Sequence, residues 1–142
     1  MIYKLLIIPI IVMLVTQIIK NIIIIIKGKF NWQTILSYGG MPSTHSALVT
    51  SLIIVIGKYN GINSPSFAIA FVLALITFKD ASGIRLHLGK HGKIINNLIK
   101  DLPDDKEYKY PVLKEKFGHK NSEIIAGILT GILLTSIIIY LI

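Results

Sequence analysis

Residues 39–49, with the sequence GGMPSTHSALV, combine two glycines, a proline, three hydroxyls and a histidine. A helix beginning there would have the proline at its start and Ser43, Thr44 or Ser46 to cap its unpaired amides. Free amides at the positive end of a helix attract an oxyanion, and the glycines let a phosphate approach the main chain. The histidine, His45, is placed to donate a proton. The same residues also suit a capped helix start with a histidine at the lipid headgroups.

A second stretch, FGHKNSEIIAG at residues 117–127, places His119 and Glu123 four residues apart. If both are helical they share a face, so the carboxylate can hold the imidazole in one tautomer and support a positive ring. A histidine nucleophile needs that support. The alternative is a polar pair that only solvates a helix end, and capping by Asn121 or Ser122 would change the spacing.

Three charged residues could add to a phosphate pocket. Arg85 offers a planar fork for two phosphate oxygens, and Asp80 could orient it or one of the histidines. Lys20 interrupts an apolar run, with Gln17 and Asn21 on nearly the same helical face. Each also has a simpler interpretation, since charges close membrane helices and a lysine near a helix end extends to the headgroups.

Metal and nucleotide sites are not predicted. Residues 83–91 mimic a nucleotide-binding loop, but His91 stands where serine or threonine should follow the lysine. His87 and His91 have a metal-friendly spacing without an evident third ligand, and the chain has no cysteine. We therefore expect no metal and no cofactor. The net charge of +8 favours anionic headgroups or phosphorylated substrates over nucleic acid, because the basic residues lie beside apolar spans.

The elements that must position these residues are membrane helices. The mean hydropathy is +0.70, and residues 5–26 and 124–142 are each long enough to cross a bilayer. Residues 44–59 and 65–79 form two shorter apolar runs, either two thin spans or one re-entrant hairpin, so His45 and Asp80 should lie on one side. The sequence predicts an all-α integral membrane bundle with about four membrane-embedded helices, the middle two short. We expect one domain over 1–142, with 80–120 as a cytoplasmic connecting region.

The basic residues predict the orientation of this bundle. In a four-crossing arrangement, twelve lysines and arginines share the face that bears the motifs, and only Lys4 and Lys58 lie on the other. By the positive-inside rule the motif-bearing face is cytoplasmic, in a multi-pass protein of the cell membrane. Four short helices make a thin bundle, which leaves a homo-oligomer open.

Taken together, these stretches resemble the divergent type 2 phosphatidic acid phosphatase family, membrane proteins related to lipid phosphatases and vanadium haloperoxidases. The resemblance runs from QIIK at 17–20, through GGMPSTHSA at 39–47 and FKDASGIR at 78–85, to LKEKFGHKNSEIIAG at 113–127. It implies a helical bundle whose phosphate pocket is built from three separated motifs.

Carried over residue by residue, the resemblance assigns roles to the polar residues. Lys20 resembles the first lysine of the superfamily pattern, and residues 42–45 resemble its Pro-Ser-Gly-His block with threonine for glycine. His119 resembles the nucleophile and Glu123 its orienting acid, with glutamate for aspartate. The remaining phosphate-binding candidates are Ser43, Thr44, Asp80 and Arg85.

The chain also departs from the superfamily pattern. No Arg-Pro follows Lys20 and no Ser-Arg precedes His119. Arg85 is the only arginine, so it is the candidate to replace the missing forks, with Lys114 or Lys116 assisting.

Three functions fit these features. The first is metal-independent hydrolysis of a phosphomonoester or pyrophosphate on a membrane lipid, through a phosphohistidine at His119, with His45 as proton donor. The second is a non-catalytic membrane protein that binds anionic headgroups or a membrane partner in the same pocket. The third, implied only by kinship, is peroxidase chemistry with bound vanadate.

Overall fold

The protein is all-helical over the residues that this computed structural model describes: 2–28, 40–101, 110–113, 115 and 118–142, with the backbone alone at 2, 85 and 86. The helices within these ranges are α1 (Ile2–Ile26), α2 (Thr44–Asn60), α3 (Pro65–Ser82), α4 (Ile84–Lys100) and α5 (Asn121–Leu141). The first three and α5 correspond to the four predicted membrane-embedded helices. Of these, α2 and α3 are the shorter pair, with 17 and 18 residues against 25 and 21. The predicted fold class is confirmed.

Membrane character is visible on the outside of the bundle. Within the described residues, three stretches are long and apolar enough to cross a bilayer: Tyr3–Ile26, Pro65–Lys100, which runs through α3 and α4, and Asn121–Leu141. Large apolar side chains stay exposed along their outer faces, among them Leu14, Ile18, Ile69, Leu73, Leu129 and Leu133. Lipid chains rather than water suit a surface of this composition.

Helix α1 packs antiparallel against α2. Its buried side consists of residues spaced four apart, Ile8, Val12, Thr16 and Lys20, which share one helical face. At one end of this pair the Lys4 ammonium lies 5.8 Å from the centre of the Tyr59 ring. At the other end the Thr44 hydroxyl donates to Gln17 Oε1 at 2.9 Å. The polar residues predicted on α1 therefore lie beside the start of α2.

Close contact between α2 and α5 depends on two glycines spaced four apart in α5. A Cβ at Gly131 would lie 2.8 Å from the Ala47 carbonyl oxygen, and one at Gly127 would collide with the Ser43 carbonyl oxygen. Small residues at this spacing let membrane helices approach until their backbones touch. The approach brings the first turn of α5 against the first turn of α2.

Helix α4 is a feature that the sequence prediction lacked. The region 80–120 was expected only as a connecting region, whereas the structure has a 17-residue helix from Ile84 to Lys100. It begins directly after Gly83, which separates it from α3. Residues 102–109, most of the predicted charged loop, lie outside the described residues.

Candidate functional site

Three helix ends meet at one end of the bundle. The Ser43 amide, just before α2, donates to the Glu123 carbonyl oxygen in the first turn of α5 at 3.0 Å. The His119 amide, just before α5, donates to the Ala81 carbonyl oxygen at the end of α3 at 2.9 Å. These two bonds hold the start of α2, the end of α3 and the start of α5 together.

A cavity of about 240 Å³ lies where these ends meet. Its lining residues are His45, Ile76, Thr77, Asp80, Ala81, Gly118 and His119. The volume equals that of roughly eight water molecules in the liquid, at about 30 Å³ each, so a tetrahedral phosphate group fits with room for solvent. His45 and Asp80 lie on the same side of the bundle, as expected when two consecutive helices run in opposite directions. His119 lies on that side too.

Glu123 holds the ring of His119. Its Oε2 lies 3.0 Å from His119 Nδ1 and also accepts the Lys120 amide at 3.2 Å. The two side chains are 10% and 20% exposed, so water screens the contact little. A carboxylate partner favours the tautomer with hydrogen on Nδ1, which leaves Nε2 as the nitrogen with a lone pair.

The way in which this pair forms differs from the expectation of two helical residues on one face. Helix α5 begins at Asn121, after His119, so only Glu123 is helical. The glutamate reaches back from the third position of the helix, as the acidic residue of a capping box does. Gly118, with φ of +79°, sets the turn that brings His119 to this carboxylate, in a backbone region that favours glycine.

Lys20 lies next to this pair without lining the cavity. Its side chain is 5% exposed, and the charge of Glu123 acts on it. Gly40 lies over it: a Cβ there would be 3.1 Å from Lys20 Cε. The sequence suggested that this glycine admits a phosphate, but in the structure the lysine side chain takes the space.

Ser43 and Thr44 are used within the fold. Ser43 Oγ accepts the Ser46 amide at 3.4 Å and the Ser46 hydroxyl at 2.9 Å, so it is the cap of α2. Thr44 donates to Gln17 on α1. Neither is among the residues that line the cavity. Their hydroxyls thus fix the position of the helix start, including the adjacent His45.

The side chains of the remaining predicted cations are not among those that the structure describes. Arg85 lies in the first turn of α4, five residues after Asp80, and its side chain is outside the described part of the chain. Gly39, Lys114 and Lys116 also lie outside it.

Three helix dipoles act on this region, and that of α3 directs its negative C-terminal end here. Helices α2 and α5 both direct their N-terminal ends toward this region, and each such end behaves as roughly half a positive charge. From the sequence, only the N-terminal end of α2 is predicted to attract an anion. The contribution of α5 and the role of Gly118 could have been recognised from a glycine placed just before His119 and a helix start three residues before Glu123.

The fold and site together define a helical membrane protein with a cavity at one end of its bundle that two histidines and an aspartate line. The chain belongs to the Divergent PAP2 family, whose match covers residues 2–134; the resemblance inferred from the sequence is confirmed at that level. It is also 40% identical over 127 residues to a Bacillus subtilis (strain 168) protein named "Uncharacterized membrane protein YuiD", covering 82% of this chain and 80% of that protein. No solved structure matches.

Proposed function

We propose that this protein hydrolyses a phosphate monoester or pyrophosphate on a membrane lipid, without a metal ion, through a phosphohistidine intermediate. The observation that supports this most is that His45, Asp80 and His119 line one cavity while Glu123 holds the Nδ1 of His119. An imidazole fixed in one tautomer beside a second imidazole supplies both a nucleophile and an acid–base group.

In the first step, Nε2 of His119 attacks phosphorus and the bond from phosphorus to the lipid oxygen breaks. His45 gives a proton to that leaving oxygen, while Glu123 stabilises the positive ring that forms on His119. In the second step His45 takes a proton from water, the water oxygen attacks phosphorus, and the bond from phosphorus to Nε2 breaks. Phosphate leaves and His119 returns to its starting form.

Enzymes accelerate phosphoryl transfer chiefly by positioning the reactants and by neutralising the negative charge of the phosphoryl oxygens. The N-terminal ends of α2 and α5 supply fixed positive potential, and we assign Lys20 to the same role from its position near Glu123. We assign Arg85 to the phosphate oxygens as the only arginine of the chain, with Asp80 orienting it or His45. Ser43 and Thr44 act through the position they give to the first turn of α2.

The substrate would reach the cavity from the membrane. Ile76 and Thr77 of α3 line it, and α3 exposes Ile69, Phe71, Leu73 and Ile76 to the surrounding lipid. We place the site on the cytoplasmic face of the cell membrane, on the basis of the excess of lysine and arginine at that end.

Phosphate release by the purified protein in detergent tests this proposal, with phosphatidic acid and a polyprenyl pyrophosphate as substrates and a chelator present. Wild type should release phosphate, and His119→Ala and His45→Ala should each lose at least about a hundredfold in rate. His87→Ala is the matched control, an exposed histidine of α4 outside the cavity. Undiminished release by both cavity variants would rule out the mechanism.

A second candidate function is binding of anionic headgroups without turnover. It is supported by the use of the Ser43 and Thr44 hydroxyls inside the fold, which leaves the cavity with few neutral donors. In that case the wild type would release no phosphate from either lipid. Binding of phosphatidic acid would survive His119→Ala and would weaken, in a salt-dependent way, in Lys20→Met.

A further inference from the structure

Helix α4 leaves an apolar face without a partner in the described part of the bundle. The exposed apolar residues are Ile84, Leu88, Ile94, Ile95 and Leu98, each between 42% and 68% exposed. At 100° per residue, Ile84, Leu88, Ile95 and Leu98 fall within an arc of about 80°, and the exposed His91 lies in the same arc. Such an arc in a soluble helix would normally pack against a core.

The opposite side of α4 is cationic. Lys90, Lys93 and Lys100 are all exposed, and they point roughly opposite to the apolar arc on the same helical wheel. An amphipathic helix with lysines on its polar face is typical of segments that lie in the interface of an anionic membrane.

The position of α4 in the chain also places it at the bilayer surface. It begins one residue after the end of α3, an apolar helix of 18 residues that carries Lys79 in its last turn. A lysine at the end of an apolar helix is typical of the headgroup boundary, which favours headgroup depth for the first turn of α4. Four charges in its sequence, three exposed lysines and Arg85, make a second crossing by α4 costly.

A third side of α4 is attached to the segment that leads to His119. Asn96 is 6% exposed, and its amide group pairs with both backbone groups of Leu113, donating to the oxygen at 2.8 Å and accepting from the nitrogen at 2.9 Å. It also donates to Glu115 Oε1 at 3.0 Å. This pairing fixes the chain a few residues before Gly118 and His119.

We infer that α4 lies in the plane of an anionic leaflet, on the side of the membrane that bears the cavity, with its apolar arc among the lipid chains and its lysines at the headgroups. There it holds the segment before His119 at a fixed depth relative to the lipid surface. This inference is independent of whether His119 turns over a substrate.

Spin labels on single cysteines test the inference, because the chain has no native cysteine. The full-length protein is placed in vesicles of phosphatidylcholine and phosphatidylglycerol, with a label at Leu88→Cys or Ile95→Cys on the apolar arc, or at Lys93→Cys opposite. Leu129→Cys, on the exposed face of α5, is the reference for lipid contact. Collision with oxygen reports lipid, and collision with a water-soluble nickel complex reports water.

The labels at Leu88 and Ile95 should collide more with oxygen and the label at Lys93 more with nickel, with Leu88 shallower than Leu129. Equal nickel access at all three α4 positions would overturn the inference. So would oxygen-rich signals at all three, which would mean that α4 spans the bilayer. Protection of Leu88 from both reagents would also overturn it, because a protein surface rather than lipid would then cover the arc.

The anionic part of the inference has its own test. In the Leu88→Cys protein, Lys90→Gln with Lys100→Gln should at least halve the ratio of oxygen to nickel collisions in anionic vesicles. The same pair should leave that ratio unchanged in pure phosphatidylcholine. An equal ratio for both proteins in both lipids would exclude recognition of anionic headgroups. Circular dichroism of every variant confirms that the bundle is folded before the ratios are compared.

Discussion

Glu123→Gln is the substitution that separates the charge of the site from its shape. Glutamine keeps the length of the side chain and an oxygen that can accept from His119 Nδ1 and the Lys120 amide. It removes the negative charge that stabilises a positive ring on His119 and that attracts Lys20. The bundle should therefore stay folded while the nucleophile loses its support.

The size of the effect follows from the contact. Glutamine exchanges a hydrogen bond to a charged group, about 1.5–3 kcal/mol, for a neutral one, about 0.5–1.5 kcal/mol, so about 1–1.5 kcal/mol is lost. The low exposure of both side chains keeps this value from being screened away. Since the positive ring of His119 forms only as phosphorus is attacked, the loss falls on the transition state. At about 1.4 kcal/mol per factor of ten, kcat should fall roughly 5- to 12-fold with little change in KM.

Steady-state phosphate release in detergent micelles with a chelator measures both constants. Asp101→Asn is the matched control, because it removes the charge of an exposed carboxylate at the end of α4, outside the cavity lining. A folded Glu123→Gln protein with the wild-type kcat would refute the idea that this carboxylate supports His119. So would an equal loss in both variants.

Three further predictions concern the framework of the site. Gly131→Ala should lower the free energy of unfolding by about 1–3 kcal/mol, because the added Cβ meets the backbone of α2. Ser136→Ala, on the exposed side of α5, is the control and should not lower it. Equal melting temperatures for the two variants would contradict the close approach of the helices. Thr44→Val removes the hydrogen bond to Gln17 of α1 and should lower the free energy of unfolding, measured by chemical denaturation, by about 1 kcal/mol. An unchanged free energy of unfolding would mean that this bond contributes nothing to stability. Lys20→Met should raise KM at least about tenfold for a phosphorylated lipid, and Lys27→Met, at the exposed end of the same helix, should leave KM unchanged; the same KM in both would remove Lys20 from the site.

The membrane helices could be predicted from the sequence because a backbone in hydrocarbon must form its own hydrogen bonds, and an α-helix forms them within one segment. The predicted runs 44–59 and 65–79 became helices that begin at Thr44 and Pro65 and end within three residues of the predicted ends. Their starts were readable since each carries a serine cap next to a proline, Ser43 after Pro42 and Ser64 before Pro65.

Helix α4 was missed because two glycines, two histidines and three lysines in 17 residues look like a loop when read by composition. The spacing of Ile84, Leu88, Ile95 and Leu98 was the available signal, and it has the helical period. The pair Gly127 and Gly131 was also readable as a packing motif in an apolar helix.

The use of each hydroxyl could not be read from the sequence. Ser43, Thr44 and Ser46 are all able to cap a helix or bind a phosphate, and the choice depends on which neighbours the other helices bring. Thr44 meets Gln17 from α1, and Ser43 meets the first turn of α5. The gathering of His45, Asp80 and His119 at one cavity was foreseeable as a consequence of topology, whereas the contact of Lys20 with the chain at Gly40 was not.

The covalent intermediate provides the most direct measurement of the central claim, that His119 attacks phosphorus and His45 activates the water. The protein is mixed with substrate, quenched in base, in which phosphohistidine is stable, and analysed by peptide mass spectrometry. We predict phosphate on His119 in the wild type, none in His119→Ala, and in His45→Ala a label that both forms and disappears more slowly, because His45 serves both steps. Turnover by the wild type with no phosphate on His119, or with the same labelling in His119→Ala, would contradict the account.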